Sequence, residues 1–316
     1  MRRVARAFFR FPPIAFFLIA GAAKCLTVHR MIQFSRVPVS PRLLQIAAIF
    51  GLAMMCVFAQ TANAANRERV QAFLTTTGFD VALDSIAFSA ASAPQMLGVE
   101  PDVFGSDWNR VTAQVFKPEI MRDIALDILE QTLSDENLDF AAGFYATDLG
   151  QRLVEAENAS HMQDDDDAKM KQGNEILAEL AENNPDRLDT LKRMNAAISS
   201  VDSSLRALQE IQVRFLMSAS AAGVVELQLD ADELRAMIAE DEERLRVVLE
   251  QSAMSGSAYT YRDISDEDLL AYTEALEKPQ MQEVYELLNA VQYEIMANRF
   301  EVLAAKMADL HPGQDI

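Results

Sequence analysis

The sequence predicts an all-α protein, a helical bundle built from two related helical units that follow an N-terminal signal segment. Three observations carry that expectation. Gly and Pro are scarce, 11 and 10 among 316 residues, while Ala, Leu, Met and Glu are common. Those four lose little rotamer freedom in a helix. Apolar residues recur every three or four positions through several long segments. No segment alternates apolar and polar residues strictly for long enough to argue a strand. Val224 to Leu229 comes nearest and reads as a short extended link.

The chain begins with an address. Leu43 to Ala59 is an apolar run broken only by Gln45, with Arg36 and Arg42 before it and Ala62-Asn63-Ala64 after it. Basic, apolar, then small residues two apart is the secretory pattern, which places cleavage between Ala64 and Ala65. The competing reading is a permanent membrane anchor, for which the run is short. Cys56 follows Met54-Met55, whereas a lipidation signal needs a small residue just before the cysteine. Phe11 to Ala23 is a second apolar stretch, flanked by Arg10 and Lys24. Met31 begins a signal segment of ordinary length, so residues 1–30 read as a misassigned extension or, alternatively, as one arm of a two-segment hairpin anchor. The expected division is therefore 1–30 extension, 31–64 signal peptide, 65–184 first helical unit and 185–316 second helical unit. Cys25 and Cys56 both fall before Ala65, so the mature chain has no thiol for a disulfide, a nucleophile or a thiolate metal site.

Charge is unevenly placed. Residues 1–64 hold eight basic residues and no Asp or Glu, and the remainder has 20 basic against 48 acidic residues, a formal charge of −28. Such a surface repels phosphate backbones, so nucleic acid is not an expected partner. It also disfavours anionic membrane surfaces, leaving membrane contact only through an uncleaved signal segment.

The helices can be placed in order. Pro118 and Glu119 open a helix in which Ile120, Ile124 and Ile128 recur beside Met121, Ala125 and Leu129. Leu205, Leu208, Ile211 and Phe215 mark another. Leu234, Met237, Ile238, Leu245, Val248 and Leu249 follow Asp230-Ala231-Asp232-Glu233, an acidic first turn suited to the positive helix start. Gly98 to Gly105 reads as a loop, Asp164 to Asp167 as a solvated charge run, Asn183-Asn184-Pro185 as a helix stop and Ser255-Gly256-Ser257 as a flexible joint.

The two halves resemble each other. Leu133-Ser134-Asp135-Glu136-Asn137-Leu138 matches Ile264-Ser265-Asp266-Glu267-Asp268-Leu269 at an offset of 131 residues. Each Ser is an expected N-cap. At the same offset Asp148 meets Pro279, with Thr147 as cap in the first copy, so each unit reads as a short helix, a sharp joint and a longer helix. Val70 to Leu83 loosely resembles Leu191 to Leu205, with an insertion of about ten residues needed to keep register.

Leu133 to Leu138, followed by Phe144-Tyr145-Ala146-Thr147-Asp148-Leu149-Gly150-Gln151-Arg152, resembles the bacterial family called domain of unknown function 2059. That family's pattern is a capped acidic helix, then Phe-Tyr, Ser-Pro, one residue, and Gly with a basic residue shortly after. Phe144, Tyr145 and Gly150 are kept; Thr147 replaces Ser and Asp148 replaces Pro. The second copy keeps Pro279 but has Ala275, Leu276 and Met281 for the aromatic pair and Gly. The resemblance implies an exported helical protein and carries no catalytic residue with it.

Chemistry is thinly signalled. His161 is the only internal histidine, and there is no G-x-S-x-G, H-E-x-x-H, P-loop or G-x-G-x-x-G. No catalytic residue and no cofactor are expected. No metal site is expected either; the nearest approach is His161 with Glu157, four residues apart on one helix face and followed by Asp164 to Asp167. A pocket between the two units, with Phe144, Tyr145, Gly150 and Pro279 beside it, is the candidate binding site. Against it, helical spacing with Phe140 points Phe144 and Tyr145 to the core, and Gly150 to close helix approach. The expected function is a non-enzymatic binding or interaction module of the cell envelope, its partner an envelope protein or a small ligand. The alternatives are an envelope hydrolase working through carboxylates, marked by one buried carboxyl of raised pKa in a cleft, and a chaperone-like protein with Met-rich faces.

Overall fold

The computed structural model describes residues 66–98, 104 and 107–310, and every statement of structure below concerns these. The leader, its cleavage point, both cysteines, most of the Gly98–Gly105 loop and His311 lie outside the described residues. The described chain is helical, with no strand, as the sequence predicts. None of its helices is long and apolar enough to cross a membrane.

Helix starts follow the local sequence. The first helix, α1, covers 66–77, and Gly78 at φ 72 turns the chain into α2 (Phe79–Ser85). That left-handed conformation is open to Gly at no steric cost. A 3₁₀ turn (Ile86–Ser92), α3 (Ala93–Met96) and α4 (Asp107–Val115) follow. α5 (Pro118–Thr132) opens on Pro, whose missing N–H is one that no helix start can pair. α6 (Asp135–Tyr145) is capped by Ser134, which accepts from the Asn137 N–H, and α7 (Asp148–His161) by Thr147, which accepts from the Gly150 N–H. α8 (Asp166–Asn183) stops where Asn184-Pro185 begins α9 (Pro185–Ile198), and the Asn184 side chain accepts from the Arg187 N–H. α10 (Val201–Ala221) is followed by a non-helical link and then α11 (Ala231–Ala239), which starts with a reciprocal cap between Asp230 and Glu233. α12 (Glu242–Thr260), α13 (Asp266–Leu276) and α14 (Pro279–Met307) complete the chain. α6 and α13 both have 11 residues and a Ser cap, and Asp266 stands 131 positions after Asp135, as Pro279 does after Asp148. α7 ends after 14 residues, whereas α14 runs for 29.

α14 is the axis of the bundle. Its buried residues, among them Met281, Val284, Leu288, Val291, Ile295, Phe300 and Met307, face several directions, the pattern of a helix surrounded by others. α10 lies along it, and α4, α5 and α6 close around it. Arg214 of α10 clamps the pair, donating to Glu294 and Glu301 at 2.8 Å each. α8 and α12 form a second close pair, and α13 packs on α9. Buried apolar residues on both sides of Pro185 belong to one core.

Four sequence expectations need correction. Ser255-Gly256-Ser257 is not a joint: it lies inside α12, buried, with the backbone of Ser255 pressed against Gly173 of α8. Local composition read as flexibility what packing uses as smallness. The run from Leu234 to Leu249 is two helices, parted at Glu240-Asp241, and Met237, Val247 and Val248 are exposed. In α5 the buried row is Met121, Ala125 and Leu129, while Ile120 is exposed and Ile124 and Ile128 are half-buried. The acidic run from Asp164 is only partly loop: Asp165 caps α8 and Asp166 and Asp167 form its first turn.

Candidate functional site

A cavity of about 160 Å³ lies where α1 and α2 face α7, α12 and α14. Phe79, Ala82, Ile86, Phe88, Val284 and Leu288 give it apolar walls. Its floor is polar, formed by Tyr145 from the end of α6, Glu157 and Asn158 from α7, Tyr261 after α12 and Tyr285 from α14.

The floor is a hydrogen-bonded cluster. Tyr261 and Tyr272 both donate to Glu157 Oε1, at 2.7 and 2.8 Å. The hydroxyls of Tyr145, Tyr272 and Tyr285 form a triangle, with Tyr145 and Tyr285 each within 2.9 Å of Tyr272 and in close hydrogen-bond contact with one another. Tyr272 is the hub, fully buried, with Phe144 stacked on its ring at 5.9 Å. Glu157 Oε2 receives no hydrogen bond from the described residues.

Counting protons gives one arrangement in which each of these contacts is filled. Four phenols supply four protons, but the contacts just described need five. With both Tyr261 and Tyr272 donating to Glu157, the protons of Tyr145 and Tyr285 must turn to Tyr272, and nothing is left between Tyr145 and Tyr285. A proton on Glu157 supplies the fifth: Glu157 then donates to Tyr272, and each phenol of the triangle donates to the next. Burial acts in the same direction, raising Glu157 to about 7 against the two phenol donors that lower it. Burial also holds Tyr145, Tyr261, Tyr272 and Tyr285 well above the ordinary tyrosine range, so all four remain protonated.

Of the residues the sequence put forward for a pocket, Tyr145 forms part of the cavity floor. Phe144 backs the cluster from behind, edge-on to Tyr145 and stacked on Tyr272. Gly150 and Pro279 are not in the walls. Pro279 starts α14, about one and two-thirds turns before Tyr285. Gly150 sits under the α6–α7 turn, where a Cβ would stand 2.5 Å from both the Phe144 carbonyl oxygen and the Tyr145 Cα. Replacing it with Ala is expected to cost about 1–3 kcal/mol by forcing that turn open. Urea denaturation measures this, and a midpoint equal to wild type would show that the turn is not tight.

Glu157 and His161, paired in the sequence as a possible cation site, do share one face of α7 and both reach the cavity. Glu157 Oε1 is held by two phenols, and no group of three or more His, Cys, Asp or Glu among the described residues is arranged to hold a metal ion. Burial, with Lys169 close by, lowers His161 to about 4, so its ring is neutral near pH 7. Phe140 is exposed, unlike its expected core position. The sequence did not single out Tyr261, Tyr272 or Tyr285. They come from three elements and meet Glu157 only through packing that no local spacing reports.

Asn158 carries the most conspicuous unpaired atom at the site. Its Oδ1 is buried, without a hydrogen-bond partner, against Gly78. A buried acceptor left unpaired costs about 1–3 kcal/mol.

No curated protein and no solved structure matches the chain. Residues 119–179 match the family described as "Uncharacterized protein conserved in bacteria (DUF2059)", a span that holds Tyr145, Glu157 and His161 and ends before Tyr261. This match falls on the stretch from α5 into α8 and is to the family that Phe144, Tyr145 and Gly150 suggested.

Proposed function

We propose that this is an exported binding protein of the cell envelope that holds a small molecule in the cavity above the tyrosine–glutamate floor. One observation carries the reading. A cavity of about 160 Å³ is lined by Glu157, whose Oε1 is held by two phenols while its Oε2 receives no hydrogen bond from the described residues. Apolar walls with a few convergent polar groups are the usual make-up of a ligand site. The volume is close to that of an engineered cavity of about 150 Å³ that takes benzene. Export rests on the basic, apolar and small-residue order of residues 31–64.

The test is a fragment screen by thermal shift, joined to native mass spectrometry of protein purified without denaturation. A retained small molecule, or fragments that raise the melting temperature of wild type but not of Ser89→Phe, supports the reading. Ser89 lines the cavity, and a phenyl group there fills it. An empty protein that no fragment stabilises defeats it.

A second reading rests on Glu157 itself. A buried carboxyl raised to about 7 in a cavity is the feature expected of a general acid. Turnover of cell-wall substrates that disappears in Glu157→Gln would favour that enzyme. The chaperone-like reading has less support, because Met121, Met194, Met281, Met296 and Met307 are core residues.

A further inference from the structure

The hydroxyl groups around the cavity have mostly spent their protons elsewhere. Thr77, Ser85 and Ser89 each donate to a backbone carbonyl of the preceding turn, at 2.9, 2.7 and 2.6 Å. Ser257 donates to Asn195 and Thr260 to Ser160, both at 2.7 Å. Tyr261 donates to Glu157. What these groups can still offer a ligand is lone pairs. Glu157 adds a carboxyl oxygen, Oε2, that receives no hydrogen bond from the described residues, so the lining around it accepts hydrogen bonds. A ligand that pairs with that oxygen must bring N–H or O–H donors.

Charge narrows the class. Lys169 is the one Lys or Arg in the lining, and it is already used: its Nζ lies 3.1 Å from Asp166 and 3.4 Å from the Ser160 carbonyl oxygen. His161 is neutral. Asp164 adds a negative charge at the wall, and Glu157 adds another whenever it is ionised. The rings of Phe79, Phe88, Tyr145, Tyr261 and Tyr285 contribute faces and edges suited to a cation.

We infer that the cavity binds a small organic ammonium ion, a primary amine on a ring or short apolar body, whose N–H groups replace the proton of Glu157. This rests on the reading of the cavity as a ligand site. The tyrosine triangle and Glu157 need five protons and own four phenolic ones. A proton on Glu157 completes the set and leaves the carboxyl neutral in the empty protein; in the bound one that proton is gone, an ammonium at Oε2 balances the carboxylate charge, and one contact of the triangle goes without a proton. Proton and ligand therefore compete. Every titratable group facing Glu157 has been placed: the phenols of α6, α13 and α14 and of Tyr261 stay protonated, and His161 on its own helix stays neutral. Lys169, Asp166 and Asp164 lie toward the α7–α8 side of the lining.

Three probes of one shape separate the outcomes: benzylamine, benzyl alcohol and benzoate, titrated calorimetrically into the full-length protein. Benzylamine is expected to bind best, and its affinity to rise as Glu157 ionises. Below Glu157's value of about 7 the gain is about tenfold per pH unit, and it levels off above it. Glu157→Gln is expected to lose at least about tenfold in benzylamine affinity and all of that pH dependence, while keeping benzyl alcohol. Benzyl alcohol or benzoate binding as tightly as benzylamine in wild type would overturn the ammonium assignment and leave the cavity as a site for another class. A benzylamine affinity flat between about pH 5.5 and pH 8 would overturn the exchange with the Glu157 proton. Binding of no probe would remove the cavity reading itself.

Discussion

Gly173→Ala is expected to destabilise the protein by about 3 kcal/mol, near the upper end of ordinary overpacking costs. A Cβ at residue 173 would stand 2.0 Å from the Ser255 carbonyl oxygen, 2.7 Å from its carbon and 3.1 Å from its Cα. All three are backbone atoms, so no side chain can rotate away, and relief requires α8 and α12 to part along their length. That movement would strain the Ser255–Asn174 and Thr260–Ser160 hydrogen bonds, both 2.7 Å. It would also open the α7–α8 side of the cavity, because Ser160 and Lys169 are part of its lining. For a chain of this size the loss corresponds to a fall of about 10 °C in melting temperature. Gly143→Ala is the control. Gly143 is an exposed position inside α6, and a Cβ there meets nothing within 4 Å. Ala is expected to stabilise that helix by about 0.5–1 kcal/mol. The two substitutions are the same chemical change with opposite signs, read in one thermal-denaturation series. Equal effects would mean that α8 and α12 do not touch through Gly173.

The contrast between these glycines shows where sequence reasoning ends. Helix starts were legible because their determinants are local. Ser134, Thr147 and Ser265 each accept from an N–H three residues on, and Pro118 and Pro279 stand at first helical positions. Nothing local distinguishes Gly173, wedged against Ser255 across the α8–α12 pair, from Gly143 in open solvent. The same limit hid the α5 face. The Ile120 row and the Met121 row both have helical spacing, and the neighbouring helices decide which is buried. The site was half legible. Tyr145 came from the family motif, and Glu157 with His161 from their spacing of four. Tyr261, Tyr272 and Tyr285 reach the same cluster from between 104 and 140 residues away in sequence, and the pairing that defines the site lies in those long separations.

The second large effect is one of pH. In the unfolded chain a glutamate gives up its proton near its ordinary value of 4.5, whereas folded Glu157 keeps its proton up to about 7. Between those values the unfolded state binds fewer protons than the folded state, so the contribution of Glu157 to stability falls as pH rises. Below 4.5 it carries no penalty; above 7 the full penalty applies, about 3 kcal/mol for a shift of this size. Glu157→Gln cannot ionise. Its stability measured against wild type is therefore expected to improve by about 3 kcal/mol between about pH 4.5 and pH 8, whatever its offset at the acid end. That offset reflects the lost carboxyl proton in the tyrosine cluster, and other ionisable groups cancel in the comparison. Urea denaturation of both proteins across this range measures the change. A constant difference would show that Glu157 is not held as the neutral acid, and a change of opposite sign would mean that the phenol donors outweigh burial. Tyr272→Phe checks the cause. Removing the donor at 2.8 Å takes away support for the ionised form, so the pH at which the penalty is complete should move upward from 7. The cluster is thus least stable under the conditions in which Glu157 can attract a cation. A ligand that pairs with ionised Glu157 would recover the lost stability at high pH and leave the acid end unchanged. That recovery would link the strain in the empty floor to the reason it persists.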